Sequence, residues 1–404
     1  LVSLEIPQGV TNVGDYAFEG CCSLVNLAIP ESVMSIGSGA FSLCNSLISI
    51  AIPEGVTLIR TQTFYGCSNL ENIVIPGSVK SIESTAFGNC SSLTSIVIPE
   101  GIIEIQDQAF SGCSSLTSIV MPQSVTSIAE KAFWGCTELV DFVIGENVLY
   151  IGDSAFGGCK KIKVTIDEKN ENFTLKDGII YDKNITQIIY IPDSITEVIV
   201  PNTVTEISGF QNNTNIISVR FEENSSLERI NGEAFSGCIG LESIVIPNVV
   251  VSIGEYAFYG CSNLTGIIIP ESVTSIGNNA FDGCSNLASI VIPEGVTFIG
   301  AQTFMECSSL ASLVIPESVT SIEDGVFRSC SNLVSIVIPE SVTSIGNSAF
   351  DGCSNLANIV IPEGVTFIGS QTFVECSSLA SIVIPENVTS IESYTFAGCS
   401  SLTN

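Results

Sequence analysis

Residues 264–286 read LTGIIIPESVTSIGNNAFDGCSN. Ile267 and Ile269 alternate with residues of the opposite face, which is the two-residue period of a short strand. Pro270 has no amide proton to donate and so ends the pairing. The next copy begins at Leu287, and its strand falls on 289–292, just before Pro293. There Val296 and Ile299 carry a second extended segment, and Gly300 turns the chain. Phe304 and Cys307 then plug the far side. Four to six residues are too few for a stable α-helix, so a short 3₁₀ turn is expected there.

The same string recurs along the chain. Proline returns at one fixed interval through Pro7, Pro30, Pro53, Pro76, Pro99 and Pro122, and again from Pro247 and Pro270 to Pro385, and thirteen of the fifteen prolines obey it. Phe18 to Phe156 mark seven coils and Phe235 to Phe396 eight more. A single coil cannot bury its own Leu, Ile, Val and Phe set, whereas stacked coils bury it along one core. The opening L-x-x-I-x-I matches the L-x-x-L-x-L signature of leucine-rich repeats. The expected fold is therefore a β-rich, right-handed leucine-rich-repeat solenoid of 23-residue coils, with a parallel sheet and short 3₁₀ turns on the convex side. A longer period lies above this one. Residues 271–333 and 340–402 align without gaps and differ at 12 of 63 positions, so a three-coil block has been copied in tandem.

The period breaks once, between Phe156 and Phe235. We expect regular coils over 1–160 and 231–404, joined as one solenoid through irregular coils at 161–230. The irregular part holds a β-hairpin looping at Asp182-Lys183-Asn184. Tyr181, Tyr190 and the lysines clustered there make that hairpin one candidate contact site.

Charge and composition exclude whole classes of function. The chain has 42 acidic and 12 basic residues, a formal charge of −30 and no histidine. Imidazole-dependent triads, His-ligated zinc and proton shuttling are excluded. Bases this sparse cannot form the positive surface that nucleic acid requires. Apolar runs stop at a proline after a few residues, far short of a membrane span. No carboxylate pair occupies an irregular, recessed position, so no enzyme and no cofactor is expected. The sequence opens at Leu1 with no Met and no basic n-region, so a signal peptide is expected either to be absent or to lie outside this segment. Both ends, at Leu1 and Asn404, fall in mid-coil, as in an excised segment that lacks caps.

Three repeating columns remain to be explained. Fifteen of the sixteen cysteines share one coil position, where parallel Cβ vectors disfavour disulfides, so buried reduced thiols are expected. Cys22 falls out of step and is the expected reactive or intermolecular thiol. The residue after the proline is acidic in most coils, including Glu294, Glu317, Glu340 and Glu363. That strip is either a solvated edge or a surface for divalent cations or a basic partner. Outward strand positions carry Val291, Val314 and Val337, which either stack on one another or receive an extended partner. Sequons occur at Asn172, Asn184, Asn212, Asn224, Asn263 and Asn387.

The string Cys261 to Pro270 with Val273, Ile276, Ala280, Phe281 and Cys284 closely resembles the BspA-like leucine-rich repeat family. Asp177-Gly178-Ile179-Ile180-Tyr181 with Ile189 to Pro192 resembles its irregular coil. Gly145 at a proline position and the extra Cys22 depart from the pattern. The resemblance implies a surface-exposed or secreted protein, often an adhesin for host matrix proteins or other cells, without catalytic residues. The expected function is thus a non-enzymatic protein-binding module of a cell-surface or secreted adhesin. The alternative is a spacer that holds another domain away from the surface.

Overall fold

The computed structural model describes residues 3–207 and 209–403; the chain ends at Leu1 and Asn404 lie outside the described residues. The chain folds as two compact units, residues 1–184 with 189–194, and residues 185–188 with 195–404. Each is a β-solenoid in which most coils carry two short strands, each paired in parallel with its counterpart one coil away. In the first sheet, three-residue strands pair at an offset of one coil, as in Ser95–Val97 against Ser118–Val120, with Ile96 opposite Ile119. Two-residue strands form the second sheet, as in Ser275–Ile276 against Phe298–Ile299. The middle residue of the first strand points inward and its neighbours outward, which is the period read from the sequence.

The turn side is not 3₁₀ helix. In the coil around Phe87, Ala86, Gly88 and Cys90 donate to Glu83, Thr85 and Phe87 of their own coil. The alternate amides of Thr85, Phe87 and Asn89 donate instead to Asp107, Ala109 and Ser111 of the next coil. A 3₁₀ helix keeps every i→i−3 bond. Here half of the donors join successive coils, and Thr85 and Asn89 adopt φ of 56° and 60° to aim them. Gly300 also has a different role from the expected one. A Cβ there would sit 2.4 Å from the backbone nitrogen of Asn278, so close packing of coils, not a turn, demands glycine.

Inside, the Phe rings stack coil on coil. Phe87 and Phe110 lie 5.3 Å apart and within 2° of parallel, and Phe350 and Phe373 5.5 Å apart at 2°. The cysteines have a partner the sequence did not reveal. Cys90 Sγ donates to the Phe64 carbonyl at 3.1 Å and Cys307 Sγ to the Phe281 carbonyl at 3.2 Å, each 26 residues back. The thiols thus point at carbonyls of the preceding coil.

The irregular segment holds the expected strand pair, Ile179–Asp182 beside Ile188–Tyr190, and adds a further strand before it. Phe173–Lys176 and Ile179–Asp182 pair antiparallel, with Lys176 opposite Ile179. The loop is Asp177-Gly178, both at positive φ (53° and 81°), the geometry of a two-residue type I′ turn. Ile188–Tyr190 is the third strand of that sheet.

Candidate partner-binding surfaces

The first-sheet strands leave one aliphatic side chain per coil in water. In the first unit these are Val74, Val97, Val120 and Val143. In the second unit the same coil position carries Val245, Ile268, Val291, Val314, Val337, Val360 and Val383 in seven successive coils, where Val291 makes only an isolated bridge to Ile268 and Val383 lies outside any strand. Val291 is 77% exposed and Val337 69%. The residue two positions earlier in most of these strands is Ser or Asn, so the column is a narrow apolar ridge with a small polar border. The ridge is interrupted at Arg220, which pairs in register with Ile199. A groove of about 590 Å³ opens there, lined by Arg220, Phe221, Ser225, Val245, Asn248 and Val249 among others.

Glu294, Glu317, Glu340 and Glu363 are all exposed, as are Glu271 and Glu386 at either end of the row. Among the described residues no three carboxylates or thiols converge at metal-binding distance. Six exposed carboxylates at one coil spacing make this edge a strip of negative potential.

Tyr181 and Tyr190 are corrected by the structure. They are 2% and 5% exposed, and Tyr190 packs edge-on against Phe156 at 5.3 Å. Neither is available as a contact group, because both are buried, and Tyr190 joins the core next to the last ring of the first Phe column. Two nearby lysines are also occupied: Lys161 pairs with Glu138 at 2.6 Å and Lys169 with Glu146 at 3.8 Å, each one coil back. Cys22 is exposed, its Sγ 3.6 Å from the Leu43 carbonyl oxygen. Burial pushes the column thiols up, Cys44 to about 11 and Cys67 and Cys261 to about 12, which suppresses their nucleophilicity.

The BspA type leucine rich repeat region matches in six copies, over residues 1–92, 57–186, 183–311 and 297–404. The chain belongs to this family. A leucine rich cell surface protein from Faecalibacterium prausnitzii is 33% identical, over 83% of this chain and 87% of that one, with a TM-score of 0.60. A leucine-rich repeat protein from Bacteroides ovatus is 28% identical, over 91% and 92%, with a TM-score of 0.51. The pneumococcal vaccine antigen PcpA, at 22% identity and a TM-score of 0.54 over 95% and 94%, shares the fold. No curated protein matches the chain. This BspA-type repeat protein is thus similar to bacterial surface proteins, and its fold generally serves protein interaction. Among the described residues no helix is long and apolar enough to cross a membrane.

Proposed function

We propose that the chain is a non-enzymatic protein-binding module of a cell-surface or secreted adhesin, and that its first-sheet ridge receives an extended segment of a host matrix or cell-surface protein. The observation that carries this reading is the unbroken run from Val245 to Val383, seven aliphatic side chains presented to water at one coil spacing. Isolated exposed valines need no explanation, but an apolar row repeated at one coil spacing is the kind of surface that partners cover. The likeness to a leucine rich cell surface protein supports the extracellular location. Replacing Val291, Val314 and Val337 together with Thr keeps β-branched strand residues while removing the apolar ridge. The variant should melt near the parent and lose binding to a panel of immobilised matrix proteins. Unchanged binding to the same proteins would refute the assignment of the face.

The spacer reading has its own support in the tandem block. Deleting 271–339 joins Pro270 to Glu340 in register and removes three coils. A spacer then loses function in proportion to length, whereas a binding module loses it according to which face is cut.

A further inference from the structure

The turn side of the second unit carries a cleft of about 420 Å³ lined by Glu233, Ser236, Tyr256, Tyr259, Asn279 and Asp282. These are the residues two before and one after the core rings Phe235, Phe258 and Phe281 of three successive coils. Tyr256 and Tyr259 are exposed, with ring centroids 5.8 Å apart and planes at 72°, so they form an aromatic corner. Asp282 forms part of its wall. It is only 6% exposed, its Oδ2 accepts from Asn279 Nδ2 at 3.1 Å, and its Oδ1 takes no hydrogen bond among the described residues. Asn279 Nδ2 is also committed to Gln302 Oε1 at 3.1 Å. Burial pushes the Asp282 carboxyl up, the Asn279 bond draws it down, and the Glu306 charge pushes it up again. A base is missing from that set.

The same carboxylate recurs three coils later and there has company. Asp351 is the three-coil counterpart of Asp282, and Arg328 is the counterpart of Tyr259. Arg328 Nε lies 3.1 Å from Asp351 Oδ2, and its charge draws the Asp351 carboxyl down against burial. A guanidinium that leaves the preceding coil at this position therefore reaches the carboxylate. At Asp282 the chain offers two phenol rings where the later coil has Arg328 and Gly325.

We propose that this cleft binds an arginine side chain of a partner protein, its guanidinium lying against Tyr256 and Tyr259 and donating to Asp282 Oδ1, in the place that Arg328 takes beside Asp351. A desolvated carboxylate with an open lone pair favours a charged donor, and aromatic faces attract cations, guanidinium especially because it also stacks. Glu233 and Glu306 add negative charge around the site, and residues 236–404 hold fifteen acids and one base, so a cation is drawn in from a distance. Lysine lacks the planar fork and is the weaker fit. The cleft is on the turn side, so this inference and the first-sheet ridge stand or fall separately.

The test is a calorimetric and NMR titration of the whole chain with the peptide acetyl-Gly-Arg-Gly-amide, beside its citrulline and lysine counterparts and free arginine. The arginine peptide should bind saturably and more weakly as salt rises. The neutral citrulline peptide should bind at least about tenfold less well. Asp282→Asn should cost about tenfold, and Tyr259→Arg, which copies the chain's own Arg328, should fill the cleft and abolish binding while the melting temperature is kept or raised. Equal affinity for citrulline, an undiminished Tyr259→Arg variant, or equal binding of the lysine peptide would overturn the proposal. Binding of free arginine without the peptide would overturn the partner-protein source.

Discussion

The block 271–333 and its copy 340–402 are the same three coils built twice, and their twelve differences are unevenly placed. Eight fall on the turn segments that run from three residues before each Phe to two after: Asn279, Ala301, Met305, Asp324, Gly325, Val326, Arg328 and Ser329. Every Phe, Cys and Leu column residue is shared, as are the ridge residues Val291 and Val314 with their counterparts Val360 and Val383. Among the turn changes that reach the interior, the place of Val326 is taken by Thr395. Its hydroxyl donates to the Glu392 carbonyl at 2.8 Å, so the buried oxygen is satisfied. The interior of a coil is tied to the coils on both sides by stacked rings, thiol bonds and alternate amides. A turn side chain meets fewer such constraints, and so an individual site such as the Asp282 cleft can arise in one copy and be filled by Arg328 in the next.

The largest expected effect concerns the shared interior. Folded thiols are held near 12 at Cys67, Cys261 and Cys376 by burial, while unfolded ones ionise near 9. The unfolded state therefore binds fewer protons above pH 9, and stability falls with pH. This contribution is complete below pH 9 and lost as pH rises toward 12, at roughly 1.4 kcal/mol per pH unit for each such thiol. Urea midpoints measured from pH 7.5 to 10.5 should drop steeply; a flat profile would remove the buried-thiol column from the account. Next in size, Phe304→Ala and Phe373→Ala should each cost about 3–5 kcal/mol through an unfilled cavity, and by similar amounts because both sit in the same shared interior. A loss below about 1 kcal/mol in either, read from chemical denaturation, would show that the ring column is not core.

Smaller effects separate the regular coils from the irregular segment. Tyr190 Oη is the one buried side-chain oxygen or nitrogen without a hydrogen bond among the described residues. Tyr190→Phe should leave stability unchanged or raise it by about 1 kcal/mol, since it removes an unpaired hydroxyl and keeps the contact with Phe156. Marked destabilisation would mean that the hydroxyl has a partner. Replacing Glu294, Glu317, Glu340 and Glu363 with Gln should hardly move the melting temperature, because exposed charges at this spacing repel by only about 0.8 kcal/mol per pair in unscreened water. It should slow association with basic ligands at low salt. Equal rates at low and moderate salt would reduce the row to a solvated edge.

Much of this was legible because a single repeat length governs the chain. It placed the strand before each proline, put Phe304 and Cys307 inside and Val314 outside, and located the break after Phe156. What stayed hidden depends on contacts between coils. The turn segment was read as 3₁₀ because a lone coil offers its amides no partner beyond i−3, whereas Thr85, Phe87 and Asn89 find theirs in the next coil. Gly300 was read as a turn residue because the nearness of Asn278 appears only on stacking. The extra strand Phe173–Lys176 stayed hidden although Asp177-Gly178 is itself the strongest two-residue turn signal. Tyr181 and Tyr190 read as surface aromatics beside lysines, but both are buried, and Tyr190 packs where the Phe column lapses after Phe156. The Asp282 cleft draws on three coils, and its sequence signal was the Arg328 and Asp351 pair three coils further on.

The inside-and-outside assignment can be tested within one strand and its coil. In native protein, a bulky maleimide should modify Cys22, and at most one or two thiols in all, while Cys307 stays unmodified by mass spectrometry. A Val314→Cys substitution should add one further equivalent at the rate of an exposed thiol, and denaturation without reductant should expose all sixteen native cysteines. If the thiol introduced at position 314 is protected in native protein while Cys307 reacts, the ridge is interior, the thiol column faces water, and the account is wrong.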